Sequence, residues 1–325
     1  MKKSNIDKGK IGVLFDGQGG QHMAMGQDFF NNCPNISYFY ETLANKLKIS
    51  TEELFNMGEE KVNETYYAQP LIFTFESVVS SCLKEDLSKS GTEVEFYSYG
   101  FSLGLYSSLI MDESNDFNEL IDVVIHRGQY MEEACKKCEQ TMAATFTSEV
   151  PIVEYVCSLF SKEELAIANF NSPKQIVIGG KKVAVEKAIK LFECLGIKSS
   201  LLNVQGAFHT PLMNTAFDSF QRYLRSRTNK LNIPSDKVII DEAIKDYMGE
   251  INDLLSEQIR KRTNLNMAVH EMLEKGVRTF VEIGPSRPIS RFVEQISPSS
   301  RILSINDLAS FNSCIKYLTE NITEK

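Results

Sequence analysis

No apolar run in the 325-residue chain approaches the length needed to cross a bilayer. The polar start, Met1-Lys2-Lys3-Ser4-Asn5, leads into Lys8-Gly9-Lys10 with no apolar stretch behind it, so no signal segment is expected. A basic excess is also missing. Acidic residues number 43 against 35 basic ones, a net charge of -8, which argues against broad nucleic-acid binding. The seven cysteines are odd in number and scattered, so reduced thiols and a cytoplasmic setting are expected in place of a disulfide frame. Cys135 and Cys138 form one Cys-x-x-Cys, with neither a second such pair nor paired histidines beside it; both read as helix residues, and no metal site is expected. No internal repeat or low-complexity segment is present. What remains is ordinary globular composition, 42% hydrophobic and 24% charged, with material for a large core.

The pattern along the chain is that of an α/β protein. Lys10 to Phe15 reads as a buried strand ending in the glycine-rich loop Asp16-Gly17-Gln18-Gly19-Gly20-Gln21. Helical periodicity runs from Gln69 to Lys89, from Leu103 to Met111 and from Phe117 to Cys138. Between about 140 and 205 the order becomes strand, helix, strand, strand, helix, strand, with a turn signal at Asn171-Ser172-Pro173; this is the order of a ferredoxin-like module. A helix from Pro211 to about Lys230 and short strands at Val238–Ile240, Phe280–Ile283 and Ile302–Ile305 complete the chain. The expected architecture is a large domain of hydrolase-like type with a mostly parallel sheet (1–139 and 206–325), carrying an inserted ferredoxin-like small domain (140–205). Residues 1 to 9 and 322 to 325 read as frayed ends.

Gly100-Phe101-Ser102-Leu103-Gly104 joins a run of β-formers to a helical run. Strand, tight Gly-x-Ser-x-Gly turn and helix form the arrangement that lifts a serine hydroxyl out of a sheet for attack. The helix N-terminus behind it would direct N–H groups at an oxyanion. A serine that merely caps the helix fits the same five residues. A nucleophilic serine needs a base, and the chain has four histidines to choose from, His22, His126, His209 and His270. His209, in Gly206-Ala207-Phe208-His209-Thr210-Pro211, lies where the small domain would rejoin the large one, a place where a cleft is expected. On periodicity alone it would pass for a packing histidine.

Six ordered segments make the set recognisable. Phe15 to Gln21 is similar to FPGQGSQ, and Gly100 to Tyr106 to GHSLGEY. Arg127-Gly128-Gln129 with Met131 and Glu133-Ala134 is similar to RGxxMQEA, and Asn169 to Gly179 to ANxNSPxQVVISG. Gly206 to Met213 is similar to GPFHSPLM and Glu282 to Pro285 to EIGP. The chain thereby resembles the malonyl-CoA:acyl carrier protein transacylases and the acyltransferase domains of fatty-acid and polyketide synthases, from about residue 11 to 305. The resemblance implies Ser102 as nucleophile, His209 as base, and the backbone amides of Gln18 and Leu103 as oxyanion donors. It implies Arg127 as partner of a malonyl carboxylate, with Phe101, Phe208 and Asn169 also at the substrate. It implies a backbone carbonyl, placed at Asn264, orienting the histidine. The expected partners are malonyl-CoA and a phosphopantetheinylated acyl carrier protein, with no permanently bound cofactor, no membrane and no nucleic acid; a monomer is expected.

The chain departs from the family pattern at several points. Phe101 stands for a histidine, Leu105 for a glutamate, Asp16 for a proline, Gly20 for a serine, and Arg262 to Leu265 for a Pro-Val-x-Trp stretch. Phe101 and Leu105 flank the nucleophile, which puts the acyl preference in question. Arg260-Lys261-Arg262, and Lys174 with Lys181 and Lys182, are candidate docking charges for anionic partners. The rival readings are an editing acyl hydrolase on the same fold, a non-catalytic carrier-protein scaffold, and an α/β-hydrolase esterase. The last fits least, because that fold places its histidine late in the chain and after an acid.

Overall fold

The computed structural model describes residues 9–322. Apart from Gly9 and Ile322, the expected frayed ends lie outside the described residues. A parallel four-stranded sheet, in the order β2-β1-β8-β9, is built from β1 (Lys10–Phe15), β2 (Glu95–Gly100), β8 (Thr279–Ile283) and β9 (Arg301–Ile305). The core strands read as continuous apolar runs because both faces are covered, and Ile11, Val13, Leu14 and Phe15 are all fully buried. Helices α1 (Thr65–Lys89), α2 (Gly104–Met111) and α3 (Phe117–Cys135) pack together beside this sheet. Helix α3 begins at a capping box between Asp116 and Glu119. It ends at Cys135, three residues short of the expected end, so Cys138 lies in the turn that leads into the next strand.

The second sheet has the order β6-β3-β5-β4-β7. Its strands are β3 (Gln140–Phe146), β4 (Leu165–Ser172), β5 (Gln175–Lys181), β6 (Lys198–Leu201) and the two-residue β7 (Thr263–Asn264). β3 to β6 pair antiparallel, and β7 joins parallel to β4. Helices α4 (Val150–Ser158) and α5 (Lys182–Cys194) bury Val153, Val156, Val185 and Phe192 in a core of their own with Ile176 and Ile178. With the parallel sheet this is the expected fold class. The hairpin turns at Pro173-Lys174, and β4 runs on through Ser172, whose Oγ accepts from the Lys174 amide.

Three expected boundaries move. β6 stops at Leu201, and residues 202 to 205 leave the sheet to line a cleft described below. The segment at Pro211 opens as a 3-10 turn, and its helix, α6, spans Asn214–Ser226. Val238–Ile240 forms no strand. It meets β2 only through Ser98, which donates to Lys237 O and accepts from Ile239 N. Beyond it the Asp241 carboxylate takes the Tyr99 hydroxyl and the Asn264 amide, which turns the chain into a 3-10 helix at Glu242–Tyr247.

Under the C-terminal edge of the parallel sheet lie three buried carboxyls, Asp16, Glu76 and Glu282. Glu282 accepts from Ile289 N and Ser290 N at 2.8 and 2.9 Å and so caps helix α7 (Pro288–Ile296). Asp16 has one oxygen without a partner; burial first, and the neighbouring Glu282 second, hold its carboxyl well above the usual range. Glu76 accepts from Ser107 Oγ through one oxygen while the other has no partner, and burial raises it as well. A folded-state pKa above the unfolded value stabilises below the unfolded pKa and loses that contribution as pH rises. Glu76→Gln is therefore expected to match the wild-type Tm near pH 4 and to exceed it by about 1–2 °C at pH 8, a shift worth ~1 kcal/mol in a chain of this size. A variant less stable than wild type at both pH values would refute this reading of Glu76.

Candidate active site

The Ser102 turn is held by contacts that tolerate no side chain at its glycines. A Cβ on Gly100 would fall 1.8 Å from the Gly104 carbonyl carbon, and one on Gly104 would fall 2.6 Å from Phe15 O. Between them Ser102 adopts φ 57°, the left-handed region that non-glycine residues rarely occupy. The strain presents Oγ at the C-terminal edge of the sheet, where helix α2 begins. The backbone N–H groups of Gln18 and Leu103 have no acceptor among the described residues. Both flank the Ser102 turn, Leu103 from the sequence and Gln18 from the loop after β1.

His209 is buried, also at positive φ, and its Nε2 lies 2.7 Å from Ser102 Oγ. Its Nδ1 faces two backbone carbonyls, Gln258 O at 3.0 Å and Lys261 O at 3.1 Å. A carbonyl only accepts, so Nδ1 carries the proton and Nε2 offers a lone pair to the serine hydroxyl. Both partners are backbone carbonyls, and neither is that of Asn264. That residue gives its amide to Asp241, and its side-chain oxygen accepts from the Met267 amide, capping the helix that follows at Leu265–Glu274. The carbonyls near His209 come from the end of the helix at Ile251–Gln258, where chain direction frees them.

Arg127, on α3, is fully buried. Its guanidinium donates to Gln69 Oε1 at 2.8 Å, Gln258 Oε1 at 2.9 Å and Ser102 Oγ at 3.2 Å, while Nε has no acceptor. Among the described residues it has no carboxylate partner. Gln258 is thus a hub: its side-chain carbonyl holds Arg127, its amide donates to Ser102 O, and its backbone carbonyl orients His209. Neither Gln258 nor Gln69 was expected from the sequence. A glutamine at a helix end or inside a helix carries no pattern that separates it from a surface residue.

Ser102, His209 and Arg127 open into a cavity of ≈ 120 Å³ walled by Phe101, Met131, Met142, Val177 and Leu202, with Phe208 and Asn169 also at its edge. Asn169 is fixed by a 2.7 Å bond to Thr263 Oγ1. The volume suits a short acyl group. A larger groove of ≈ 640 Å³ around Lys84, Glu95 and Lys237 contains neither the serine nor the histidine. Leu105 does not line the cavity; it is packed in the core, so of the two unusual neighbours only Phe101 lines it. A Cβ on Gly20 would fall 2.2 Å from Ser286 Oγ, so Ser286 fills the space that a side chain at position 20 would need. The other histidines lie elsewhere: His22 and His270 are exposed, and His126 stacks on Tyr223 at 3.9 Å. Of the candidate docking charges, Arg260 is paired to Glu257 and lies 3.5 Å over the Phe217 ring, and Lys181 and Lys182 sit by Glu164 and Glu139.

Residues 13–305 match the family described as the acyl transferase domain. The chain belongs to the acyl transferase domain family. A malonyl CoA-acyl carrier protein transacylase of Bacillus subtilis is 30% identical over 96% of this chain and 98% of its own. The crystal structure of a transacylase of the same name from Clostridium perfringens superposes with a TM-score of 0.85 at 33% identity, covering 96% of this chain and 98% of that one. A malonyl-transacylase solved in complex with a type II PKS acyl-carrier protein is 25% identical with the same TM-score, covering 95% and 99%.

Burial, and next the charge of Arg127, push the His209 imidazole down to about 4, against the two carbonyl bonds that raise it. The imidazole is therefore neutral throughout the physiological range. An NMR titration of the ligand-free protein is expected to show His209 protonating near pH 4, and at a higher pH in Arg127→Met. Equal midpoints in the two proteins would show that Arg127 does not set this value.

Proposed function

We propose that this chain moves a malonyl group from malonyl-CoA to the phosphopantetheine thiol of an acyl carrier protein, through an ester on Ser102. The observation that carries the reading is the Arg127 guanidinium, buried 3.2 Å from Ser102 Oγ with only neutral partners. A buried cation without a counter-ion is costly, and an incoming carboxylate relieves that cost. A planar guanidinium can hold it through two parallel bonds.

In the first half-reaction Ser102 Oγ attacks the thioester carbonyl and its proton passes to His209 Nε2. The tetrahedral oxyanion is met by the Gln18 and Leu103 amides. The C–S bond breaks, the thiolate leaves with the proton from His209, and malonyl-serine remains. In the second half-reaction His209 takes the proton of the carrier thiol, sulfur attacks the ester carbonyl, the bond from that carbon to Ser102 Oγ breaks, and Oγ takes the proton back from His209 as malonyl-carrier leaves. The two carbonyls at Nδ1 do the orienting work of an acid, so no third charged residue is required. Every step uses side chains and amides of the chain, and CoA enters as a substrate thioester, so the reading calls for no resident cofactor.

We further propose that residues 140–205 act as a subdomain closing the cleft over the rest of the chain (1–139 and 206–325). The separate core beneath the second sheet supports this. Asn169, Val177 and Leu202 come from it and Phe101, Ser102 and Arg127 from the rest, so the cleft lies between them. All site residues come from one chain, in keeping with a monomer. Among the described residues no helix is long and apolar enough to cross a membrane, and the seven cysteines are free, in keeping with a reducing cytoplasm. A role in fatty-acid or polyketide assembly follows from the proposed substrates.

With malonyl-CoA and holo-carrier protein, the wild type is expected to yield malonyl-carrier. Ser102→Ala should yield none, and Arg127→Ala should lose about 10²–10³-fold in kcat/KM for malonyl-CoA, as expected when one partner of a buried ion pair is removed. Free malonate without malonyl-carrier would establish the hydrolase reading, and absence of any Ser102 adduct would establish the scaffold.

A further inference from the structure

A buried carboxylate outside the acyl cavity touches the supports of both Ser102 and His209. Asp241 is buried and lies outside every segment that carries the family resemblance. Its Oδ1 accepts from the Asn264 amide at 2.6 Å and from the Tyr99 hydroxyl at 2.9 Å. Burial raises its carboxyl to about 6, against these two bonds and the nearby Lys245, which lower it. At neutral pH it is therefore a carboxylate, which only accepts.

The two donors lead to opposite sides of the site. Tyr99, also buried, is on β2 next to Gly100, where the Ser102 turn begins. Asn264 ends the short segment that starts at Lys261, whose carbonyl lies 3.1 Å from His209 Nδ1. Thr263, between them, accepts from Asn169 at the cavity edge. The Lys261 amide still belongs to the helix end, donating to Glu257 O. The direction of its carbonyl is set by the peptide that follows, and that stretch is thinly held. β7 is two residues long, lies at the edge of the second sheet and pairs with β4. Arg262 stands where the family pattern has a proline, so no ring fixes φ there. Asp241 reaches the stretch because Ser98 bonds to Lys237 and Ile239 and so lays the chain before Asp241 along β2.

We propose that Asp241 is a positioning residue for the base: by gripping Asn264 from the strand that leads to Ser102, it aims the Lys261 carbonyl at His209 Nδ1 and sets the imidazole against the serine hydroxyl. The proposal rests on the transferase reading above. Asp241 itself touches neither the cavity nor the reacting atoms. Its loss lowers the fraction of molecules with the imidazole in line, and with it kcat. Arg127 and the apolar cavity wall still bind the acyl group, so KM is held.

The test compares Asp241→Leu, Asp241→Asn and Tyr99→Phe with the wild type. One readout is kcat and KM for malonyl-CoA with holo-carrier protein. The other, taken without substrate, is solvent exchange of the His209 Nδ1–H proton by NMR. Asp241→Leu is expected to lose about tenfold in kcat, the effect of removing bonds to a charged acceptor, with KM within about threefold. Asp241→Asn keeps an acceptor oxygen and is expected to recover most of that loss. Tyr99→Phe cuts only the link to β2 and is expected to lose about three- to tenfold in kcat. It keeps the proposal testable if Asp241→Leu fails to fold. The Nδ1–H proton is expected to exchange faster wherever kcat falls. Unchanged kcat and exchange in Asp241→Leu, or in Tyr99→Phe where Asp241→Leu does not fold, would overturn the proposal, as would a loss carried by KM alone. A wild type that forms no malonyl-carrier, with Nδ1–H exchange still faster in the variants, would overturn the transferase reading and leave the role of Asp241 at His209 standing.

Discussion

The site is organised around one buried positive charge. Removing a guanidinium from water costs several kcal/mol, and the neutral oxygens of Gln69, Gln258 and Ser102 offset only part of that. Arg127 therefore ties together α1, α3 and the helix end at Gln258, the elements that must meet for the nucleophile and base to face each other. Burial first, and this charge second, hold His209 neutral and so keep its Nε2 open to the serine proton. On the proposed reading it also decides which acyl groups complete the site, because a carboxylate supplies what the protein withholds.

Gln258 transmits this constraint. One residue holds the arginine, the nucleophile's backbone and, through its carbonyl, the histidine. The left-handed backbone at both Ser102 and His209 is stored strain that this network maintains. The reacting groups are therefore set before substrate arrives.

Much of this was legible in the sequence, for reasons that differ by residue. Ser102 is marked by the glycines that its turn demands, and β1 by an apolar run buried on both faces. Arg127 and His209 were legible only as members of ordered segments, since each alone passes for an ordinary helix or packing residue. What escaped was carried by backbone or by unpatterned amides. The carbonyls of Gln258 and Lys261 leave no side-chain signature, and the placement at Asn264 lies beyond the helix end that frees them. Val238–Ile240 has the composition of a strand, but Asp241 turns the chain after one pairing. Leu105 neighbours the serine in sequence, yet the helical turn carries it into the core.

The central claim is that the dry arginine makes Ser102 accept a short acyl group ending in a carboxylate. Intact-mass measurement of the protein after brief exposure to malonyl-, acetyl-, succinyl- and palmitoyl-CoA tests it most directly. The account predicts a dominant malonyl adduct that disappears in Ser102→Ala. Dominant acetyl or palmitoyl labelling of Ser102 would contradict it.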